Sequence, residues 1–114
     1  GKFIVQVKRN KIKWQLDLRE GIDLTIFIFN NFEKEIIDIS KKLIGNRKID
    51  IIDIGSNMGV HTLNFAKEHK NSKIYSIEAT NYAFNKLLKN LSLNQNLTNI
   101  NPHQFFLTNQ KKNG

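Results

Sequence analysis

Two carboxylates and a pair of glycines are spaced as they would be to hold a small charged molecule. Asp53-Ile-Gly55-Ser-Asn57-Met-Gly59 follows an apolar run, and Glu78 lies 23 residues after Gly55. Gly55 has no Cβ at a point where the chain must turn sharply, so a ligand can lie against the backbone. Gly59 opens a helical pattern, and the free N–H groups and positive dipole end of a helix suit a carboxylate or phosphate. Asn57 takes a loop position often given to glycine, and asparagine tolerates a left-handed backbone. A carboxylate at Glu78 can accept hydrogen bonds from both hydroxyls of a ribose. Each feature also has a plainer reading: a structural turn, and a solvated strand end. Their order after a buried strand favours a nucleoside ligand. Val60 stands where G-x-G-x-x-G would put its last glycine and no G-K-[ST] follows, which weakens dinucleotide and P-loop readings.

These residues need a scaffold, and the hydrophobic pattern predicts one. Residues 2–8 and 11–18 alternate with period two, with Phe3, Val5 and Val7, then Ile12, Trp14, Leu16 and Leu18, on the apolar faces. Arg9-Asn10 between them suits a hairpin turn. Residues 22–29 are apolar and fit either a buried strand or a short helix capped by Asp23; the helix is favoured. From Phe32, a stripe of Ile36, Ile37, Ser40, Leu43 and Ile44 predicts a helix ending near Gly45-Asn46. Residues 49–54 read as a strand buried on both faces, as inside a parallel sheet. A helix from Val60 to about Lys70, a strand over 73–78, a helix over 81–93 and a strand over 100–107 follow. Strand–helix–strand–helix–strand with short links predicts an α/β fold with a parallel sheet.

The residues that carry this chemistry also resemble a family. Residues 53–63, Asp-Ile-Gly-Ser-Asn-Met-Gly-Val-His-Thr-Leu, are similar to the glycine loop of FkbM-like S-adenosylmethionine-dependent methyltransferases. The resemblance extends to Ile74-Tyr-Ser-Ile-Glu78, to Asn90-Leu-Ser-Leu-Asn94 and to Asn99-Ile100. Upstream it takes in Trp14-Gln-Leu-Asp-Leu18 and Asn31-Phe32-Glu33. It implies a Rossmann-like class I methyltransferase fold, cut short after about three parallel strands and preceded by a small β-hairpin and helix. Residues 1–48 would lead into the core, and residues 49–114 would form the cofactor-binding first half of the domain. It implies S-adenosylmethionine as cofactor, bound through Asp53, Gly55, Ser56, Asn57, Gly59, His61, Thr62 and Glu78. Asp53 would bring negative charge near the ammonium and sulfonium, and Glu78 would hold the ribose. The implied reaction is O-methylation of a small-molecule or sugar-containing acceptor, in the cytoplasm. RNA methylation, and an interaction module that keeps the fold without catalysis, are the alternatives.

No catalytic base is assigned. His61 falls where the family carries aromatic residues, so packing beside the cofactor is favoured over catalysis. His69 ends a polar helix turn and is expected to be solvated. Asn101-Pro102-His103 is similar in part to the Asn-Pro-Pro signature of amino-group methyltransferases, but falls one strand too early. Glu33 could reach the methionine end of the cofactor or serve a helix start. Asn90-Leu-Ser and Asn96-Leu-Thr match glycosylation sequons, as expected by accident in an Asn-rich chain.

Composition sets the remaining bounds. The chain has 114 residues, 18 Lys and Arg against 10 Asp and Glu, and a formal charge of +8. Fifteen of the bases are Lys, and Lys, Asn and Ile together make 47 residues, a bias expected of A+T-rich codons; nucleic-acid binding does not follow from it. Eight Phe and 39% apolar residues exclude a disordered polycation. No apolar run approaches the roughly 20 residues of a membrane span. The absence of Cys removes disulfides, Cys-ligated zinc and thiol chemistry, and no metal site is expected. The first residue is Gly1 and the one Met is Met58, so the chain is expected to derive from a longer or processed product. A three-strand sheet of this kind would expose the edge of residues 49–54, and self-association there is the alternative to a longer polypeptide.

Overall fold

A computed structural model describes residues 2–29 and 34–105. Alternation over the first 18 residues produces an antiparallel hairpin of β1 (Ile4–Arg9) and β2 (Ile12–Asp17), with Val7 opposite Trp14 and Arg9 opposite Ile12. Its two-residue turn is Asn10-Lys11, one position later than the sequence suggests, and both residues have positive φ, 52° and 63°. That is the type I′ geometry whose twist matches the strands.

Helix α1 (Gly21–Ile28) follows, so the ambiguous apolar stretch is helical. Asp23 is not its cap. The N-cap is Glu20, without a side-chain bond, and Asp23 is buried with its carboxylate accepting the N–H of Asp17 at 2.7 Å. Helix α2 (Lys34–Ile44) buries Ile37 and Ser40 but leaves Ile36 and Leu43 exposed, a narrower stripe than the pattern indicates. The Asn31-Phe32-Glu33 element lies outside the described residues.

The second half alternates strand and helix: β3 (Ile51–Ile54), α3 (Val60–Glu68), β4 (Ile74–Ile77), α4 (Asn81–Ser92) and β5 (Ile100–His103). The strands form one parallel sheet in the order β3-β4-β5, with Ile51, Ile74 and Ile100 in register. Phe106 and Leu107, read as part of the last strand, lie outside the described residues. The α/β fold expected from sequence is present, with its hairpin and its parallel sheet.

One core spans the hairpin, α1, the glycine loop, α3 and α4: Ile12, Trp14, Leu16, Ile26, Met58, Val60, Leu63 and Leu87. Burying a side chain of this size contributes about 1.5–3 kcal/mol, so the hairpin is held to the loop by hydrophobic burial. Two further expectations fail. Residues 49–54 are not buried on both faces: α3 packs against β4 and β5, while Ile52 and Ile54 point away and are 63% and 74% exposed. Among the described residues no helix covers that side. His69 is not solvated but 5% exposed, and its Nε2 lies 2.8 Å from Ser40 Oγ across the α2–α3 contact. Ser40 Oγ also donates to the Ile37 carbonyl, so its single proton is spoken for and Nε2–H is the donor. Burial pushes the His69 imidazole below its ordinary pKa, with Lys41 helping and Glu68 opposing.

Candidate functional site

The glycine loop is built by backbone constraint at both ends. Gly55, just past β3, has φ +70°, and a Cβ there would meet no heavy atom within 4 Å. Its backbone is thus open to close approach. The Gly55 and Ser56 N–H groups both donate to the Ile77 carbonyl, at 2.8 and 3.1 Å, fastening the loop to the end of β4. Gly59 caps α3 at φ +101°, and a Cβ would come 2.6 Å from Leu63 Cδ1 and 2.8 Å from Leu87 Cδ1. Close packing and backbone conformation both require glycine there. Asn57 is left-handed at φ +51°, as its residue type allows.

Glu78 follows β4 and is 8% exposed. Its Oε1 accepts the Asn57 N–H at 2.8 Å, and its Oε2 accepts the Thr80 N–H at 3.1 Å. Thr80 in turn caps α4 by accepting from Ala83 N. Burial alone would raise the Glu78 pKa; donation from the Thr80, Asn57 and Ala79 backbone outweighs it and holds the carboxyl below its ordinary range. The plainer reading of Glu78 as a solvated strand end is therefore wrong. Each carboxylate oxygen offers two acceptor sites, so the group can brace the loop and still accept a ligand hydroxyl.

Asp53 is positioned from the other side. Thr62 Oγ1, on the first turn of α3, donates to Asp53 Oδ2 at 2.6 Å and lies 2.6 Å from Ser76 Oγ. Thr62 has one hydroxyl proton and Asp53, when ionised, has none, so Ser76 must donate to Thr62. Thr62 and Ser76 are fully buried. Ser76 was not among the sequence candidates; its signal is a polar residue on the helix-facing side of an otherwise apolar strand. Ser56 Oγ is buried with no hydrogen-bond partner. A buried orphan hydroxyl costs about 1–3 kcal/mol, and in this loop it suits a ligand or water that supplies the bond.

Seven of the eight residues expected at the site thus form two linked groups. Asp53 and Thr62 lie beneath the loop, Asn57 and Glu78 join across its tip, and Gly55, Ser56 and Gly59 connect them. His61 is half-buried, its ring 6.2 Å from that of Phe65. His103 lies on the open face of the sheet, 6.3 Å from Tyr75 ring to ring. Beside Asn57, a cleft of about 360 Å³ is lined by Glu20, Gly21, Asp23, Tyr82 and Lys86. There, Tyr82 donates to Glu20 at 2.6 Å, and Lys86 bridges Glu20 and Asp23. Among the described residues no group of three His, Cys, Asp or Glu could hold a metal, and no helix is long and apolar enough to cross a membrane.

No protein-family model matches the sequence, and no curated protein matches it. Solved structures do. A TYW2 protein from P. horikoshii, in complex with MeSAdo, superposes with a TM-score of 0.69 at 20% identity over 93% of this chain and 37% of its own. TYW2 from M. jannaschii, in complex with AdoMet, gives 0.66 at 22% identity over 90% of this chain and 43% of its own. A SAM-dependent methyltransferase from Agrobacterium tumefaciens gives 0.63 at 12% identity, over 87% and 31%. The fold is therefore the Rossmann-like fold of class I methyltransferases, and the chain spans less than half the length of each of these structures.

Proposed function

We propose that this chain is the S-adenosylmethionine-binding portion of a cytoplasmic, FkbM-like methyltransferase that transfers methyl groups to hydroxyls of a small-molecule or sugar-containing acceptor. Residues 49–114 form the cofactor-binding part and residues 1–48 the element that leads into it. The observation that carries this reading is the Glu78 carboxylate, buried and bonded to the tip of the glycine loop, 2.8 Å from Asn57 N. It stands at the end of β4, next to a backbone left open at Gly55.

The residues present fit the cofactor. Glu78 accepts a ribose hydroxyl at Oε1, beside the Asn57 N–H, while Oε2 stays with the Thr80 N–H and hydroxyl. Asp53, oriented by Thr62 and Ser76, offers negative charge to the ammonium and sulfonium. The open backbone at Gly55 and the orphan Ser56 hydroxyl supply the close contact and the missing bond. His61 packs alongside. When bound, the cofactor supplies a methyl already activated on a sulfonium, so the protein's task is to align an acceptor and exclude water.

Photo-crosslinking of methyl-labelled S-adenosylmethionine to the chain tests the ligand class. Competition by S-adenosylhomocysteine, with none from ATP or NAD at equal concentration, supports the reading. Equal competition by ATP or NAD contradicts it.

A further inference from the structure

Side chains from α4, from the turn that follows it and from α1 form a ladder along the outer edge of β2. β1 occupies one edge of β2, and on the other the N–H groups of Lys13, Gln15 and Asp17 point outward. Each is met by a side-chain oxygen. Lys13 N–H donates to Asn94 Oδ1 at 2.9 Å, Gln15 N–H to Asn90 Oδ1 at 2.8 Å, and Asp17 N–H to Asp23 Oδ2 at 2.7 Å, a carboxylate held in turn by Lys86 at 3.0 Å. Asn94 also donates to the Lys13 carbonyl at 2.6 Å. Lys86, Asn90 and Asn94 are four residues apart. Four helical residues rise about 6 Å and two strand residues about 6.6 Å, so Lys86 and Asn90 on successive turns of α4 face successive outward N–H groups, Lys86 through Asp23 of α1 and Asn90 directly, and Asn94, two residues past the end of α4, faces the third. Blocking the edge in this way also removes a template for strand addition.

One rung does more. Asn90, 1% exposed, donates from Nδ2 to the carbonyl of Met58 at 3.1 Å. Met58 lies inside the glycine loop, so a single side chain connects the hairpin to the loop. Both partners are backbone groups of fixed polarity, an N–H and a C=O, and asparagine presents an acceptor and a donor from one short side chain. Asn94 makes the same kind of contact with the hairpin but none with the loop.

We propose that Asn90 is a positioning residue: it holds the Met58 peptide, and with it the glycine loop, in register with the hairpin. Its consequence for cofactor affinity rests on the function proposed above, but its effect on the loop does not.

Hydrogen exchange of the unliganded chain separates the two. In Asn90→Ala, amide exchange across residues 55–59 accelerates by about fivefold or more, the loss of one buried hydrogen bond. In Asn94→Ala, exchange accelerates in β2 and not in the loop. Should Asn90→Ala fail to fold, Asn90→Asp keeps the acceptor for Gln15 N–H and lacks the donor to Met58, and the same loop acceleration is expected. Equal loop exchange in the Asn90 and Asn94 variants overturns the proposal. S-adenosylhomocysteine affinity is measured on the same samples, with Asn90→Ala expected about fivefold weaker than Asn94→Ala. If the wild type binds none of it, the functional reading fails while the exchange result still decides the role of Asn90.

Discussion

Glu78 Oε1 accepts a hydrogen bond from the backbone N–H of Asn57 at 2.8 Å, joining the end of β4 to the tip of the loop between β3 and α3. With Thr80 on its other oxygen, one carboxylate ties together the two loops at the carboxyl ends of adjacent parallel strands. Open α/β sheets bind ligands at that end, so the residue best placed to meet a ribose also fixes the loop against which the ligand would lie.

This tie makes stability sensitive to acid. The Glu78 carboxyl lies below its unfolded value of 4.5, so the unfolded chain takes up the proton first. Its contribution is complete above that pH and is lost as pH falls through the lower native value. Thermal melts between pH 3 and 7 should show Glu78→Gln with a shallower acid dependence than wild type. Arg19 beside Asp17 holds that carboxyl at about 2, so Asp17 adds its own loss only at lower pH.

Thr62→Val removes the hydroxyl between Asp53 and Ser76 while keeping its volume. The variant should lose about 1–3 kcal/mol in urea unfolding, since Ser76 is left buried without an acceptor. Thr62→Ser should recover most of that loss. A Val variant as stable as wild type would show that the pair is not ordered by Thr62.

The two loop glycines should differ. Gly55→Ala meets only the left-handed backbone penalty, about 1–2 kcal/mol. Gly59→Ala adds contact with Leu63 and Leu87 and should be destabilised further by urea denaturation. Equal losses would mean that the two leucines yield without cost.

β3 pairs with β4 on one side and, among the described residues, with no strand on the other. Its exposed Ile52 and Ile54 favour association of two copies along that edge. Light scattering should show mass rising with concentration, and Ile54→Lys should suppress it. A wild-type chain that stays monomeric at all concentrations would contradict this.

Sequence periodicity reveals most of this architecture. The hairpin, the strand–helix order and the left-handed Asn57 all follow from local rules that tertiary packing did not override. The two burial failures have a common physical origin, namely packing by elements distant in sequence. Ile52 and Ile54 look buried because an apolar run carries no record of which face a helix covers. His69 looks solvated beside Glu68 and Lys70 until α2 brings Ser40 to its ring. At the site, residue types indicate Asp53 and Glu78 but neither Ser76, which bonds the Thr62 that meets Asp53, nor the Asn90 bonds to Gln15 and Met58, because those contacts span 14, 75 and 32 residues.

Calorimetric titration of S-adenosylhomocysteine into the wild-type chain and into Asp53→Ala/Glu78→Ala, each first shown to be folded by circular dichroism, tests the central claim most directly. The wild type should bind with one-to-one stoichiometry and the folded double variant should give no measurable heat of binding. Unchanged affinity in the folded double variant, or no binding by the wild type, would contradict the assignment of this loop as the cofactor site.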